Sequence, residues 1–247
     1  MIAVISFVCG MVLGFYLLAK IIYGCALLFS KNETSPKPTK GISILVAARD
    51  EEKNLLTTLE SLASMEMQGV DWEVWIGDDR SSDRTASIAL EFCSRNDHFH
   101  YCRIENDIEG IKAKQNVLAQ LVTKCIFENI LICDADMRVK PQWAKTLAGE
   151  LEKGFGMICG PTVVEGPSFF AKLQSLDWLM GMAIAKSHDV LGIPITGVGN
   201  NMAVNRQAYQ EVGGYEKLPF SITEDYKLFQ AIHEKAGWKY RDRKSVV

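Results

Sequence analysis

Short apolar runs alternate strictly with longer helical stretches between residues 41 and 159, and this rhythm limits the possible folds more than any other feature. The apolar runs predict strands at 41–48, 72–77, 99–104, 129–133 and 157–159. The stretches between them predict helices at 51–65, 82–95, 113–123 and 141–151. Strands and helices in strict turn are typical of βαβ units, which build a mostly parallel sheet covered by helices. The sequence therefore predicts an α/β fold.

The rhythm changes after Gly160. Residues 169–185 predict a long, largely apolar helix, and residues 192–201 predict a glycine-rich loop. Two further helices are predicted at 206–212 and 225–236. The methionine and aromatic content of residues 169–185 is more typical of a core, or of a surface near lipid, than of a cofactor site.

One predicted strand ends in two carboxylates. The run Ile130–Cys133 is typical of a strand buried on both faces, and Asp134 and Asp136 follow it. In open α/β sheets the ligand crevice lies outside the carboxyl ends of the strands. Residues i and i+2 of an extended backbone share a side, which lets both carboxylates face one hard cation. An isolated Asp-x-Asp is more often a solvated turn with an Asp helix cap, so the meaning of this pair depends on the rest of the chain.

Charged residues follow two other predicted strands. Asp78 and Asp79 come directly after Gly77, and adjacent carboxylates repel unless a partner such as a base N–H or a ribose hydroxyl offsets the repulsion. The segment Arg49–Glu51 follows the first strand. The acidic pair Glu224–Asp225 begins a predicted helix, where the helix dipole favours negative charge whatever the function. Three strand ends therefore direct polar groups toward one edge of the predicted sheet.

The N-terminus carries a candidate membrane span. Residues 2–19 contain no charge, and after Lys20 a second uncharged run continues to Ser30. A helix needs roughly 20 residues to cross the hydrocarbon, so this stretch suffices if Lys20 snorkels. A cleaved signal peptide is disfavoured, because no basic segment precedes the run and no clear small-x-small site follows it.

These features predict a membrane anchor at 1–30, a linker at 31–40 and a soluble domain at 41–247. Lys31, Lys37 and Lys40 follow the span and no Lys or Arg precedes it, so the positive-inside rule places the domain in the cytosol. On that topology the glycosylation sequon at Asn32 stays unused.

The charge balance excludes one class of partner. With 27 basic and 30 acidic residues the net charge is −3, so no basic surface for nucleic acid is expected. The seven cysteines form no Cys-x-x-Cys pair, and the four histidines form no metal-binding pattern.

Taken in order along the chain, the polar blocks resemble the family-2 glycosyltransferases with the GT-A fold. The matching motifs lie at Ala48–Glu51, Asp78–Thr85, Lys112 and Lys114 with Asn116, Asp134–Asp136, Gly197–Ala203 with Arg206, Gly213–Tyr215 and Glu224–Asp225. The resemblance covers about residues 41 to 240, and seven short motifs in the family's order are a specific match. It implies a nucleotide-sugar-binding fold with a mostly parallel sheet flanked by helices, which follows the N-terminal transmembrane helix.

The resemblance also implies an activity. The expected enzyme is a metal-dependent, inverting hexosyltransferase that moves a sugar from a nucleotide diphosphate sugar to a lipid or polysaccharide acceptor. The implied donor is a UDP-sugar, and the implied setting is cell-envelope or polysaccharide biosynthesis at the cytosolic face of the bacterial inner membrane.

Roles carry over residue by residue. Asp79 and Glu51 would hold the nucleotide base, and Ala48 and Arg49 would line its pocket. Asp134 would lie beside the ribose and sugar, and Asp136 would ligate Mg²⁺ or Mn²⁺. The catalytic pair would be Glu224 and Asp225, with Asp225 as general base. The remaining substrate-binding residues implied are Asp78, Lys112, Lys114, Gly199 and Asn200.

The chain departs from the family pattern at both ends. The first motif more often reads Ala-Arg-Asn-Glu, so Asp50 adds a charge without an assigned role. The Gln-x-x-Arg-Trp motif and the further transmembrane helices of membrane members are absent before Val247, which predicts a fragment or a truncated, impaired product. Two alternatives stay open: a membrane-tethered nucleotide-sugar binder without activity, and a sugar-phosphate nucleotidyltransferase. The second is disfavoured, because residues 49–51 are not a glycine-rich basic loop.

Overall fold

The computed structural model describes residues 2–29 and 35–243. The chain divides into two compact units, one formed by Met1–Asn32 and Val163–Ile195 and the other by Glu33–Thr162 and Thr196–Val247. Most of the predicted 31–40 linker's first half, including Lys31 and the Asn32 sequon, lies outside the described residues, as do the last four residues of the chain.

The larger unit is built on one sheet. Its strands are β1 Ile42–Ala48, β2 Trp72–Asp78, β3 Phe99–Arg103, β4 Asn129–Asp134, β5 Phe155–Cys159, β6 Asn201–Asn205 and β7 Lys239–Asp242. Their order across the sheet is β3-β2-β1-β4-β6-β5-β7. β1 runs parallel to β2 and β4, β2 runs parallel to β3, and β5 runs parallel to β7. β6 is antiparallel to both of its neighbours, β4 and β5.

Helices cover both faces of this sheet. They are α2 Leu55–Ala63, α3 Thr85–Cys93, α4 Ala113–Val122, α5 Trp143–Leu151, α7 Arg206–Glu211, α8 Gly214–Lys217 and α9 Glu224–Phe229, which continues into a π-helical turn at Gln230–Lys235. Ile44 and Leu45 are neighbours in β1 but belong to separate core clusters, because successive strand side chains point to opposite faces. The Ile44 cluster includes α2, α3 and α5, and the Leu45 cluster includes α4, α7 and α9.

The predicted α/β fold with a mostly parallel sheet is confirmed, and the strands predicted from apolar runs are all present. Two predicted helices begin later than expected, at Leu55 rather than 51 and at Thr85 rather than 82. The residues before both helices are instead held in loops that bond to each other, since the N–H groups of Glu51 and Glu52 donate to Thr85 and Asp83. The helix predicted at 169–185 continues to Val190.

Two strands were not predicted. β6 begins at Asn201, the last residue of the predicted glycine-rich loop, and inserts between β4 and β5. β7 forms the far edge of the sheet beside β5. Both are short, and β6 has only three apolar residues between two asparagines, so neither carries a strong local pattern.

The smaller unit contains two long helices, α1 Ile2–Phe29 and α6 Phe169–Val190. Within the described residues, α1 is the single helix long and apolar enough to cross a membrane, with its candidate span at Cys9–Leu28. The two helices pack together near their C-terminal ends, where the Tyr23 ring lies 5.1 Å from that of His188. Ser187 Oγ also donates to the Tyr23 carbonyl at 3.3 Å.

Candidate functional site

The polar strand ends meet at one edge of the sheet. In the register of β1 with β2, Ala48 lies beside Asp78, and in the register of β1 with β4, Ala47 lies beside Asp134. β1, β2 and β4 are neighbours and run in the same direction, so their carboxyl ends open to the same side. This is the position at which α/β sheets bind ligands.

The loops after β1 and β2 are joined by reciprocal hydrogen bonds. Asp79 N donates to the Ala48 carbonyl at 2.9 Å, and Glu51 N donates to Thr85 Oγ1 at 2.7 Å. Glu52 N donates to Asp83 Oδ2 at 3.0 Å. Burial raises the pKa of Asp83, but hydrogen bonds from Thr85 and Glu52 outweigh it and leave the pKa lowered. The two loops therefore form one preorganised rim of the crevice.

Asp50 has a structural role that its sequence position does not reveal. Its φ is +54°, in the left-handed region that Asp and Asn tolerate better than most residues. Its Oδ1 accepts from Ser82 N at 2.8 Å and from Ser82 Oγ at 3.1 Å. Its own N–H donates to Ser81 Oγ at 3.0 Å. An asparagine makes the same contacts with its amide oxygen, so the departure from Ala-Arg-Asn-Glu preserves the loop.

Asp78 and Asp79 face different environments. Asp78 is fully buried and accepts hydrogen bonds from Ser81 N at 2.9 Å and Tyr101 Oη at 2.8 Å. Burial and this hydrogen bond raise the pKa of Tyr101 to about 12, so the phenol stays a donor. Arg103 lies 3.5 Å from the same carboxylate. Asp78 therefore supports the loop from the interior and does not face the crevice.

Asp79 is held by two guanidinium groups. Arg80 donates to its Oδ1 at 2.7 and 3.0 Å, and Arg49, which is largely exposed, lies 3.4 Å from Oδ2. Arg80 also reaches Asp107 at 2.8 Å, and Asp107 accepts from the buried Asn116 at 3.2 Å. This chain of contacts ties the β2 loop to α4. Arg80 has φ +55°, so the loop is also held in an uncommon backbone conformation.

Lys114 connects two of the predicted site blocks. Its Nζ lies 2.5 Å from Asp134 Oδ1, at the end of β4, and 3.5 Å from Glu224 Oε1, at the start of α9. Burial alone lowers the pKa of Lys114, but the carboxylates of Asp134, Glu224 and Asp225 outweigh it and raise the pKa. Burial raises the pKa of Glu224, and Lys114 opposes that shift only in part. Lys114 thus stays cationic between acids from two distant segments.

Asp225 is fixed by backbone N–H groups. Gly199 N donates to its Oδ2 at 2.6 Å, and Tyr226 N donates to its Oδ1 at 2.7 Å. Gly199 allows this approach because a Cβ there would lie 2.7 Å from the Cβ of Asp225. The neighbouring Asn200 donates from Nδ2 to Thr162 Oγ1 at 3.3 Å, and its Oδ1 is buried without a hydrogen-bond partner among the described residues.

Asp136 lies in the turn after β4 and is exposed. Within residues 2–29 and 35–243 its carboxylate makes no hydrogen bond or ion pair, and no group of three or more His, Cys, Asp or Glu residues is arranged to hold a metal. Mg²⁺ and similar cations are often held by one or two carboxylates together with substrate phosphates and water. One accessible carboxylate at the crevice edge fits that donor set, whereas a closed protein cage does not exist in this part of the chain.

Two contacts near α4 complete the site. Lys112 places its Nζ 4.9 Å from the centre of the Phe220 ring, so it stands over the segment that precedes Glu224. Gln115 is buried, and its Nε2 donates to the carbonyls of Tyr215 and Leu218, each at 3.1 Å. Its Oε1 accepts from Ser221 N at 3.1 Å. No local sequence pattern indicates this role for Gln115, because its partners lie about a hundred residues away.

The structure therefore brings most of the predicted site residues into one connected region. Ala48, Arg49, Glu51 and Asp79 lie on the rim formed by the β1 and β2 loops. Asp134, Lys114 and Glu224 form one contact group, and Gly199 joins it through Asp225. The carboxylate of Asp78 lies in the interior, and Asp136 lies in the turn after β4 without a hydrogen bond or ion pair to the described residues of this region.

Comparison with known proteins identifies the family. A sequence model described as Glycosyl transferase family 21 matches residues 4–246. The chain belongs to this family. The predicted resemblance to GT-A glycosyltransferases of the family-2 type is thereby confirmed.

Curated relatives are similar over most of this chain but are longer. A beta-monoglucosyldiacylglycerol synthase from Trichormus variabilis is 26% identical over 219 residues, which cover 86% of this chain and 46% of the relative. A poly-beta-1,6-N-acetyl-D-glucosamine synthase from Staphylococcus epidermidis is 27% identical over 212 residues, which cover 84% and 48%. The chain thus spans about half the length of the curated relatives it matches.

Solved structures confirm the fold. The mannosyltransferase PcManGT from Pyrobaculum calidifontis, in complex with GDP-Man and Mn²⁺, superposes with a TM-score of 0.69 at 16% identity, covering 92% of this chain and 62% of that one. Glucosyl-3-phosphoglycerate synthase from M. tuberculosis superposes with a TM-score of 0.56 at 15% identity, covering 83% and 70%. At these identities the likeness concerns the GT-A type fold.

Proposed function

We propose that this family member is a membrane-anchored inverting glycosyltransferase that transfers a sugar from a nucleotide diphosphate sugar to a hydroxyl of a lipid or growing glycan. The contact of Lys114 with both Asp134 and Glu224 carries the proposal, because it unites the end of β4 with the start of α9. The ammonium group of Lys114 therefore contacts both Asp134, an acid on the donor side, and Glu224, an acid on the acceptor side.

The donor side uses the rim between β1 and β2. Asp79 accepts hydrogen bonds from the nucleotide base, and Ala48, Arg49 and Glu51 line the same pocket. Arg49 is the solvent-accessible member of this group, since its side chain is largely exposed and its contact with Asp79 is long, at 3.4 Å. The resemblance favours a UDP-sugar, whereas the similar PcManGT was solved with GDP-Man.

Asp136 would hold Mg²⁺ or Mn²⁺ together with the donor's diphosphate. When bound, such a cation neutralises the charge that develops on the departing diphosphate. Asp134, oriented by Lys114, lies beside the ribose and the sugar. Gly199 lies next to Asp225, to which its N–H donates a hydrogen bond.

Asp225 acts as general base. It takes the proton of the acceptor hydroxyl while that oxygen bonds to the anomeric carbon, and the bond from this carbon to the diphosphate breaks. Attack opposite the leaving group inverts the anomeric centre, as in single-displacement glycosidases. A positioned carboxylate contributes about 10² to 10⁴ in rate at such a step. The Gly199 and Tyr226 N–H groups orient Asp225 and leave lone pairs on both oxygens for the proton.

The acceptor and the membrane face follow from similarity and topology. The similar proteins are named as synthases of a glycolipid and of a polysaccharide, which supports a lipid or glycan hydroxyl as acceptor. Helix α1 is the candidate anchor, and Lys37 and Lys40 after it favour a cytosolic catalytic unit. Protease treatment of sealed vesicles with the cytosolic face outward should digest this unit. Protection of the unit, or glycosylation of Asn32, would reverse the orientation.

The activity is tested with the full-length protein in bilayer vesicles. A panel of labelled UDP- and GDP-sugars is incubated with diacylglycerol or with glucosamine oligomers, and transfer and free nucleotide diphosphate are measured. One donor should release its nucleotide diphosphate in an acceptor-dependent manner. Asp225→Asn should lower kcat by roughly 10² or more with donor affinity nearly unchanged, and Glu224→Gln should cost less.

Two results would overturn the proposed activity, and a third would overturn the role of Asp225. Donor binding without release of nucleotide diphosphate, under all acceptor conditions, would make the protein a nucleotide-sugar binder. Exchange of labelled pyrophosphate into a nucleotide sugar would make it a nucleotidyltransferase. Equal turnover of the wild type and Asp225→Asn would return the Glu224–Asp225 pair to a helix-capping role.

A further inference from the structure

The turn between Asp134 and Asp136 is held from the interior by a hydroxyl of α2. Thr58 Oγ1 donates to the Ala135 carbonyl at 2.6 Å, and these two residues are 1% and 3% exposed. The same hydroxyl lies 3.4 Å from the Asn54 carbonyl, one helical turn earlier. A hydroxyl carries one proton, and the much shorter contact assigns that proton to Ala135. Thr58 therefore makes a buried hydrogen bond to a residue 77 positions away in the chain.

This hydrogen bond fixes the peptide unit that carries Asp136. A peptide group is planar, so the Ala135 oxygen, the Asp136 nitrogen and the Asp136 Cα lie in one plane. A donor that holds the oxygen thereby sets the direction in which the chain continues to Asp136. Among the described residues the Asp136 carboxylate makes no hydrogen bond or ion pair, so no side-chain partner orients it. The place of this carboxylate in the crevice therefore depends on its backbone.

Ser61 supports the same segment. It lies one helical turn after Thr58 on the same side of α2, and its Oγ accepts from Val139 N at 3.2 Å. Leu59 and the Ala135 side chain belong to one core cluster, so apolar packing also holds α2 against the turn. Two hydroxyls of α2 thus fix both ends of the segment 135–139.

Helix α2 is also joined to the donor rim at its N-terminus. The N–H of Leu55, its first residue, donates to the Glu51 carbonyl at 2.9 Å, and Asn54 Nδ2 donates to Glu51 Oε2 at 2.9 Å. The N–H of Glu51 donates in turn to Thr85 Oγ1 at 2.7 Å. The base rim and the turn at Asp136 are therefore held by one short helix. A nucleotide diphosphate has to reach from the base pocket to the cation, so a fixed distance between these two places favours its binding.

We propose that Thr58 is a positioning residue for the divalent cation, because its hydrogen bond to the Ala135 carbonyl places the Asp136 carboxylate where the donor's diphosphate can share the metal. The inference rests on the proposed function, in which Asp136 binds Mg²⁺ or Mn²⁺ together with that diphosphate. Thr58 acts through the backbone of the turn, without contact to the donor. Valine has nearly the same shape as threonine but no donor, so the role of the hydroxyl can be separated from packing.

Calorimetry of UDP binding, with and without Mn²⁺, tests the inference on the full-length protein in bilayer vesicles, and GDP is measured in parallel. Thr58→Val should lower the Mn²⁺-dependent gain in nucleotide affinity by about tenfold, the lower end of the range for groups that orient metal ligands. Thr58→Ser keeps the hydroxyl and should retain most of the gain. Affinity without Mn²⁺ should be the same in all variants. The Mn²⁺ electron paramagnetic resonance signal gives bound metal without any need for turnover.

Thr57→Val is the matched control. Thr57 is the neighbour of Thr58 in α2, is less buried, and makes no side-chain hydrogen bond within residues 2–29 and 35–243. The same substitution there changes helix propensity equally and should leave the gain unchanged. Circular dichroism checks that the variants fold. If Thr58→Val does not fold, Thr58→Ala removes the same hydroxyl, and its comparison with Thr58→Ser, which differs by one oxygen atom, replaces it.

The outcomes separate this inference from the function on which it rests. An unchanged gain in Thr58→Val would overturn the inference alone. An equal loss in Thr58→Ser or Thr57→Val would assign the effect to packing, and a parallel loss of affinity without Mn²⁺ would make Thr58 a general support of the fold; both would also overturn it. A wild type whose nucleotide affinity does not respond to Mn²⁺ would overturn the proposed metal role of Asp136 and this inference together.

Discussion

The backbone N–H of Gly199 donates a hydrogen bond to Oδ2 of Asp225 at 2.6 Å, so the loop before β6 fixes the carboxylate at the start of α9. The two residues come from different blocks of the predicted site. Their contact explains why the Gly197–Ala203 motif has a glycine at position 199, because only a residue without a side chain allows this distance. A Cβ at Gly199 would lie 2.7 Å from the Cβ and 3.0 Å from the Oδ2 of Asp225.

Gly199→Ala should therefore displace the proposed base without touching the donor rim. We expect kcat to fall by roughly 10- to 100-fold, since small misplacements of reacting groups are costly, and the donor Kd to change little. Turnover and calorimetric donor binding measure the two quantities. Gly181→Ala is the control, because a Cβ there meets no atom within 4 Å among the described residues and should leave kcat unchanged. An unchanged kcat in Gly199→Ala would mean that Asp225 is not the base.

Asp50 allows a graded test of the donor rim. Asp50→Asn keeps an acceptor for Ser82 and tolerates φ +54°, so donor affinity should stay within about twofold of the wild type. Asp50→Gly keeps the backbone conformation but loses the acceptor, and Asp50→Ala loses both. Donor affinity should fall in the order Asn, Gly, Ala, with a loss of about 1–3 kcal/mol of unfolding free energy for Ala. Equal affinity in all three variants would separate the rim from donor binding.

The strands that build the crevice were predictable because their patterns are local. β1, β2 and β4 are largely apolar runs with charged residues at or directly after their ends, and those runs are visible in the sequence alone. β6 was not predictable in the same way, because its three apolar residues form a strand only through pairing with β4 and β5 on either side. Likewise, the sequence predicts that Asp78 and Asp79 both face the ligand, but both side chains are buried: Ser81 and Tyr101 hold Asp78, and Arg80 and Arg49 hold Asp79.

Gln115 shows why positioning residues escape a reading of the sequence. Its position in α4 looks like any helical glutamine, yet it holds the Tyr215 and Leu218 carbonyls and the Ser221 N–H. Gln115→Met should leave these groups unpaired and destabilise the fold by about 1–3 kcal/mol. Because Ser221 precedes Glu224 and Asp225 by only a few residues, kcat should fall while the donor Kd stays unchanged.

Urea unfolding and turnover check the Gln115 prediction. Gln207→Met on α7 is the matched control, because Gln207 is exposed and the substitution should alter neither quantity. A raised donor Kd with unchanged kcat would instead place Gln115 on the donor side of the crevice.

Glu224 should make stability depend on pH. Its folded-state pKa is raised above the ordinary 4.5, chiefly by burial, so the protonated form is favoured in the folded state. The stability that this group contributes is fully present below pH 4.5 and is lost as pH rises through the folded pKa. Relative to the wild type, Glu224→Gln should therefore gain unfolding free energy between pH 4 and pH 7. Urea unfolding of both proteins at the two pH values measures the difference, and a relative loss with rising pH would show that Lys114 stabilises the ionised carboxylate more than burial opposes it.

The metal dependence of donor binding should require Asp136. Its carboxylate is exposed at the turn after β4, while the neighbouring Asp134 is already engaged by Lys114. Asp136 is therefore the acid that remains for a cation shared with the donor's diphosphate, and Asp136→Asn should abolish the Mn²⁺ dependence of donor binding without unfolding the protein. Calorimetry of a UDP-sugar, with and without Mn²⁺, gives the affinity ratio, and the Mn²⁺ electron paramagnetic resonance signal gives bound metal independently of turnover.

Asp97→Asn is the control, because Asp97 is also exposed but precedes β3 at the opposite end of the strands. A ratio in Asp136→Asn equal to that of the wild type and of Asp97→Asn would remove Asp136 from the metal site and return the pair at 134 and 136 to a solvated turn.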